Sequence, residues 1–182
     1  HEEALKRDHR KLGTELKLFA FSDNIGAGLP LWLPAGARLR GKLEQLLYKA
    51  HRIRGYEPVR GPEILKADAW VKSGHYANYK ENMYFTEVDG QEYGLKPMNC
   101  VGHIEVFRED QVSYRDLPMK FFEYGVVHRH ELSGVMHGLF RVREFTQDDA
   151  HIFCTKEQTK DVIIEVLEFV ESLMSHFNFT YE

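Results

Sequence analysis

Apolar positions along this chain recur with two periods, 3.6 and 2, and the alternation between them predicts a mixed fold. Residues 2–18 read as a helix with an apolar stripe at Leu5, Leu12 and Leu16. The stretch SDNIGAGLPLWLPAGARL is dense in Gly and Pro, so it reads as loop or short strand. A second helix runs from Ala37 to Ile53, with Leu39, Leu43, Leu46, Leu47 and Ala50 at helical spacing, and Gly55 stops it. Val59 then enters a strand that Pro62 confines to an edge or an end.

Residues 66–79, KADAWVKSGHYANY, read as a short amphipathic helix and loop. NMYFTEVDGQEYGLKP reads as a hairpin whose Asp89-Gly90 pair favours a two-residue turn. A helix follows Cys100. KFFEYGVVHRHE (residues 120–131) reads as a strand, LSGVMHGL as a loop and RVREFTQDDAHIF (residues 141–153) as the returning strand. Thr155 caps a last helix, with Glu157 and Gln158 in its first turn. That helix is expected to bury Val162, Ile163, Val166, Leu167, Val170, Leu173 and Met174. The pattern predicts an α+β fold, an antiparallel sheet flanked by helices.

Composition narrows the function classes. The 182 residues are 43% hydrophobic and 29% charged, which suits one domain with a real core. A net charge of −4 gives no global attraction for a polyanion, so any phosphate partner must meet a local basic patch. No apolar run is long enough to cross a membrane, and the first residues do not resemble a signal peptide. Cys100 and Cys154 are the only cysteines, which argues against a disulfide framework and fits a reducing, cytoplasmic setting. The chain begins inside a charged helical pattern and ends where a strand starts, so it reads as a piece of a longer protein.

Two constellations carry chemistry. Read as a strand, Arg141, Arg143, Phe145, Gln147, Asp149 and His151 share one face, while Arg129 and Glu131 share a face of the outgoing strand. Two guanidiniums can clamp a polyphosphate, Phe145 can stack on a base, and Glu131 can accept from an exocyclic amine. The hairpin would then bind ATP without a glycine-rich loop, and no such loop motif occurs. The competing reading is a solvated face of cross-strand ion pairs. Arg141 to Asp149 spans about 26 Å if straight, so Arg141 is expected to fold inward from the loop end. The second constellation is Cys100 with His151, a thiolate and an imidazole suited to zinc. The competing reading is a buried thiol near a hydrogen-bonded histidine. His75, His103, His128, His130 and His137 add candidates without a pattern.

The segments GYEPVRGP, KPMNC followed by GH, SYRDLP, and HRHELSGVMHGLFRVREFTQDDAHIFC together resemble the threonyl-tRNA synthetases, a class II aminoacyl-tRNA synthetase family. The likeness runs over nearly the whole chain and implies a partial class II catalytic-domain fold for residues 1–182, carrying motifs 1 and 2. Motif 3, the editing domain and the anticodon-binding domain are expected to lie outside it. The resemblance implies threonine–tRNA ligase activity: ATP-dependent activation of threonine and its transfer to tRNA(Thr). It implies that Arg54 to Pro62 is motif 1, which builds a homodimer interface. Arg129 and Glu131 are implied on the α-phosphate and adenine amino group, Arg141 on phosphate and Phe145 stacked on adenine. Met98, Gln147 and Asp149 are implied around threonine, and His75 in transfer to tRNA.

Cys100 and His151 are implied as two of three zinc ligands, the third lying beyond residue 182, with Mg-ATP as substrate. A metal with open positions can take threonine's amine and hydroxyl and reject valine. Serine differs by one methyl, worth only about 1–3 kcal/mol, so editing is expected elsewhere. Two positions depart from the family: Val101 stands for proline, expected to alter only a turn, and Glu144 for glycine, expected to face away from ATP. The alternative function is a non-catalytic, synthetase-like module that binds nucleotide or tRNA.

Overall fold

The computed structural model describes residues 5–74, 76, 79–109 and 111–179. In chain order its elements are helix α1 (His9–Glu15), strands β1 (Phe19–Ala20) and β2 (Leu31–Trp32), helix α2 (Pro34–Ile53), strands β3 (Glu57–Pro58) and β4 (Ile64–Lys66), helix α3 (Ala67–Lys72), strands β5 (Phe85–Val88) and β6 (Gln91–Leu95), helix α4 (Cys100–Glu109), strands β7 (Met119–His128) and β8 (Glu144–Phe153), and helix α5 (Thr159–His176). Among the described residues no helix is long and apolar enough to cross a membrane.

The α+β class with antiparallel strands holds, and among the described residues the strands are divided over three sheets: β1-β2, β3-β7-β8 and β4-β6-β5. One pairing is parallel, with Glu57 opposite Phe121 and Pro58 opposite Phe122. The strand after α2 therefore includes Pro58 and precedes Val59, whose amide bonds Phe122 O. Such a pairing joins segments over sixty residues apart, which local periodicity does not encode. The 85–95 hairpin matches its expected turn: Asp89 and Gly90 both have positive φ, 53° and 72°.

The antiparallel register of β7 and β8 positions everything else. Phe122 lies opposite Ala150 and Tyr124 opposite Asp148, and this face meets α2 and α5. There Tyr56, Phe122 and Phe169 form a core with Ala50, Ile152 and Leu173, and the His51 ring stacks on Phe122 at 4.3 Å. The opposite face carries Phe121 against His151, Glu123 against Asp149 and Gly125 against Gln147. Helix α4 covers it, with Phe107 stacked on Phe153 at 4.1 Å. A second core, Trp70, Met83 and Val101, joins α3, the β4-β6-β5 sheet and α4. Val101 is thus a buried helical residue, not a turn substitution.

Several boundaries differ from the sequence pattern for identifiable reasons. Helix α1 is shorter than residues 2–18, since Asp8 caps it by accepting from the Arg10 amide, and Leu5 and Leu16 are exposed. Pro34 starts α2 three residues earlier than expected, its missing N–H costing nothing in the first turn. Leu39 and Leu43 are not buried; they line an open cavity of about 550 Å³ between α2 and β8. Thr155 and Gln158 exchange side-chain and backbone hydrogen bonds, but they close a turn before α5, which begins at Thr159. Of the residues expected inside that helix, Ile163, Leu167, Val170 and Met174 are exposed, while Val162 and the unforeseen Phe169 are buried.

Candidate functional site

Strand β7 ends at His128 and β8 begins at Glu144, so Arg129, Glu131, Arg141 and Arg143 lie in the connection and not on strands as the pattern suggested. Register still brings them together, because the Arg129 amide bonds Arg143 O at 2.9 Å. The Arg129 guanidinium lies 5.0 Å over the Phe145 ring, and its Nε donates to Pro97 O at 3.3 Å. A cation held on an aromatic face keeps its charge while its free N–H groups stay directed outward.

Arg141 and Arg143 divide their work. Arg143 is spent on structure: Nε donates to Glu131 O at 3.0 Å, one Nη donates to Ala27 O at 3.3 Å, and its amide bonds Gly28 O. Arg141 forms a bridge to His137, and its Nε donates to Glu131 Oε2 at 2.9 Å. Its side chain remains more than half exposed, so it is the arginine free to meet an anion. Glu144 contacts His128 Nε2 at 3.1 Å and shares a face with Thr146 and Asp148, which Arg40 and His51 of α2 touch. That is the side opposite the face carrying Asp149 and His151.

Farther along β8, side chains two residues apart point toward α4. Asn99 Nδ2 donates to Asp149 Oδ2 at 3.0 Å. The Asp149 carboxylate acts on both proposed metal ligands. Burial pushes the Cys100 thiol up, and the Asp149 charge pushes it further, against its own backbone hydrogen bond. Burial pushes the His151 ring down, opposed by Asp149 and reinforced by His103. His151 meets His103 of α4, the helix that begins at Cys100, so the two residues lie on facing elements. Among the described residues no group of three His, Cys, Asp or Glu side chains is placed to hold a metal, so a zinc site here needs a donor from beyond them. Met98 is half-buried beside buried Pro97 and Asn99, and Gln147 lies opposite Gly125. His75 lies outside the described residues.

Three residues around this neighbourhood escaped the sequence reading as a group. His103 Nδ1 is 2.9 Å from His151 Nδ1, and its ring is wholly buried. Glu123, also buried, accepts from Lys96 Nζ at 3.3 Å and the Gly61 amide at 3.2 Å. Burial alone would raise the Glu123 carboxyl, but hydrogen bonding from His103 and Gly61 and the Lys96 charge hold it below its ordinary value. The one available sequence signal was the spacing of Cys100 and His103, three apart on one helical face. Lys96 and Glu123 carried none.

Residues 84–182, more than half of the chain, match the family model for the tRNA synthetase class II core domain (G, H, P, S and T). The chain is 75% identical over 181 residues to a threonine–tRNA ligase of Campylobacter jejuni, covering all of this chain and 30% of that protein. It spans under a third of the curated relatives it matches. Its structure is similar to the RNA binding domain of threonyl-tRNA synthetase from Cryptosporidium parvum, with a TM-score of 0.93 and 48% identity over 96% of this chain and 44% of that one. Giardia lamblia prolyl-tRNA synthetase shares the fold at 20% identity, with a TM-score of 0.81 over 92% of this chain and 35% of that one. The chain, which matches that model over more than half of its length, belongs to the class II tRNA synthetase core domain family.

Proposed function

We propose that this chain is the N-terminal part of the catalytic domain of a threonine–tRNA ligase. The full protein joins threonine to ATP, the amino-acid carboxylate attacking the α-phosphate and pyrophosphate leaving, and then transfers threonine to the 3′ end of tRNA(Thr). The reading is supported above all by one juxtaposition: Arg129 stacks on Phe145 of β8, and farther along β8 His151 meets α4, the helix that begins at Cys100. The high identity of the whole chain to threonine–tRNA ligases points the same way.

Arg129 holds charge on the α-phosphate, Arg141 binds phosphate, Phe145 stacks on adenine and Glu131 accepts from its amino group. Preorganised charge of this kind stabilises an in-line displacement without covalent participation. Met98, Gln147 and Asp149 surround the threonine, and His75 serves transfer to tRNA. Zinc, held by Cys100, His151 and a third ligand from outside this chain, would supply a Lewis-acid site for threonine's amine and hydroxyl. Mg²⁺ enters with ATP. Motif 1, at Arg54 to Pro62, forms the interface of a cytoplasmic homodimer.

Threonine-dependent exchange of pyrophosphate into ATP by the full-length protein tests this reading. Exchange with threonine, and none with valine, is expected. ATP binding without exchange would make the chain a non-catalytic nucleotide-binding module.

A further inference from the structure

Two imidazole Nδ1 atoms 2.9 Å apart must divide one proton between them, so this contact selects a tautomer. The selection starts at Glu123. Its Oε1 faces Lys96 Nζ at 3.3 Å and His103 Nε2 at 3.4 Å, and its Oε2 takes the Gly61 amide. His103 Nε2 is buried and has no other partner, and its contact with the carboxylate is long and poorly aligned. A lone pair turned toward a carboxylate repels it, whereas an N–H is attracted, so Nε2 carries the proton. The one proton between the two Nδ1 atoms then falls to His151, whose Nδ1–H donates to the His103 Nδ1 lone pair. The remaining His151 nitrogen, Nε2, is left with its lone pair free.

We propose that Glu123 and His103 are positioning residues that lock His151 in the tautomer able to ligate a cation through Nε2. The proposal rests on the reading of Cys100 and His151 as metal ligands. Carboxylate–imidazole partners behind a metal-ligating histidine fix its ring and raise its basicity, and losing one typically costs about 10–100-fold in metal affinity. Here a second imidazole is interposed between carboxylate and ligand, and the rings meet edge to face at 82°. The buried Lys96 neutralises Glu123, which lets a full charge sit beneath the sheet.

The test measures zinc affinity of the full-length protein against a competing chelator. His103→Leu removes the acceptor facing His151, whereas His103→Asn places a carbonyl oxygen near the Nδ1 position. Zinc affinity is expected to fall about 10–100-fold in the leucine variant and to stay within about threefold of wild type in the asparagine variant. Affinity for ATP, read in the same proteins, reports that the fold survives. Neutron diffraction from metal-free wild-type crystals checks the tautomer directly, with deuterium expected on His151 Nδ1 and His103 Nε2. Deuterium on His151 Nε2, or zinc affinity insensitive to His103→Leu while sensitive to Cys100→Ser, overturns the relay and leaves the metal reading standing. Zinc binding that ignores Cys100→Ser, or is absent from wild type, overturns the metal reading and the relay with it.

Discussion

Asn99 reaches across the bare backbone of Gly125 to hold the Asp149 carboxylate, its Nδ2 donating to Asp149 Oδ2 at 3.0 Å. A Cβ added at Gly125 would lie 2.1 Å from Asn99 Oδ1, and Asn99 is buried. Gly125→Ala should therefore displace Asn99, release Asp149 and destabilise the fold by about 1–3 kcal/mol through overpacking. Urea unfolding measures the cost. In the full-length protein the KM for threonine should rise while that for ATP holds, because Asn99 holds Asp149 and not the Arg129–Phe145 stack.

Gly36 separates a fold requirement from a site requirement. Its Cβ position lies 1.9 Å from Leu18 O, a backbone atom that cannot swing aside. Gly36→Ala should force the start of α2 away from residue 18 and cost about 2 kcal/mol or more. For a chain of this size the melting temperature should fall by about 2–4 °C for each kcal/mol lost. An unchanged thermal scan would mean that the two segments are not packed this closely.

Glu123 makes acid sensitivity specific. Its folded carboxyl lies below the ordinary value of 4.5, because donors from His103, Gly61 and Lys96 outweigh burial. The stability it contributes is therefore fully present above 4.5 and is lost as pH falls through the lower folded value. Wild type should lose more stability than Glu123→Gln between neutral pH and the acid side of that window. Equal slopes of urea midpoint against pH would contradict the assignment.

The Cys100 thiol is raised above its ordinary value of 9.0, first by burial and then by the Asp149 charge. Alkylation by iodoacetamide should be slow near neutral pH and accelerate only as pH passes that value. Asp149→Asn removes a charge that opposes the thiolate, so the rate at a fixed, mildly alkaline pH should increase. Mass spectrometry of the peptide containing Cys100 reads both effects.

Arg129 and Phe145 should fail in different ways. On the proposed reading Phe145→Leu removes a stacking surface worth about 1–3 kcal/mol per base, so the KM for ATP should rise. On the same reading Arg129→Ala removes charge from the α-phosphate site, so exchange turnover should fall by about 10²–10³. Steady-state exchange kinetics with varied ATP separate the two outcomes.

Whatever depends on neighbours in the chain was legible without coordinates. Asp89-Gly90 specified its hairpin because both residues tolerate positive φ, and the period of two from Phe145 to His151 marked which side chains share a face. The α2 helix declared itself by spacing, and neither a GxxxxGK followed by Ser or Thr nor a GxGxxG was present. Contacts between distant segments were not legible. Nothing local to Pro58 says that it pairs in parallel with β7, and nothing local to Ile163 says that Phe169, seven residues from Val162, is the side chain the core takes instead. Likewise, Arg141 and Arg143 are the same residue type two positions apart. Only the approach of Ala27 and Gly28 decides that one is spent on carbonyls and the other stays exposed. Glu123 and Lys96 would read as surface polar residues and His103 as one histidine without a pattern, since burial of a charge is determined by which distant partners arrive to neutralise it. Sequence alone determined the residue types and faces offered to a site; tertiary structure decided which of them meet, because hydrogen-bond geometry and desolvation act through space and not along the chain.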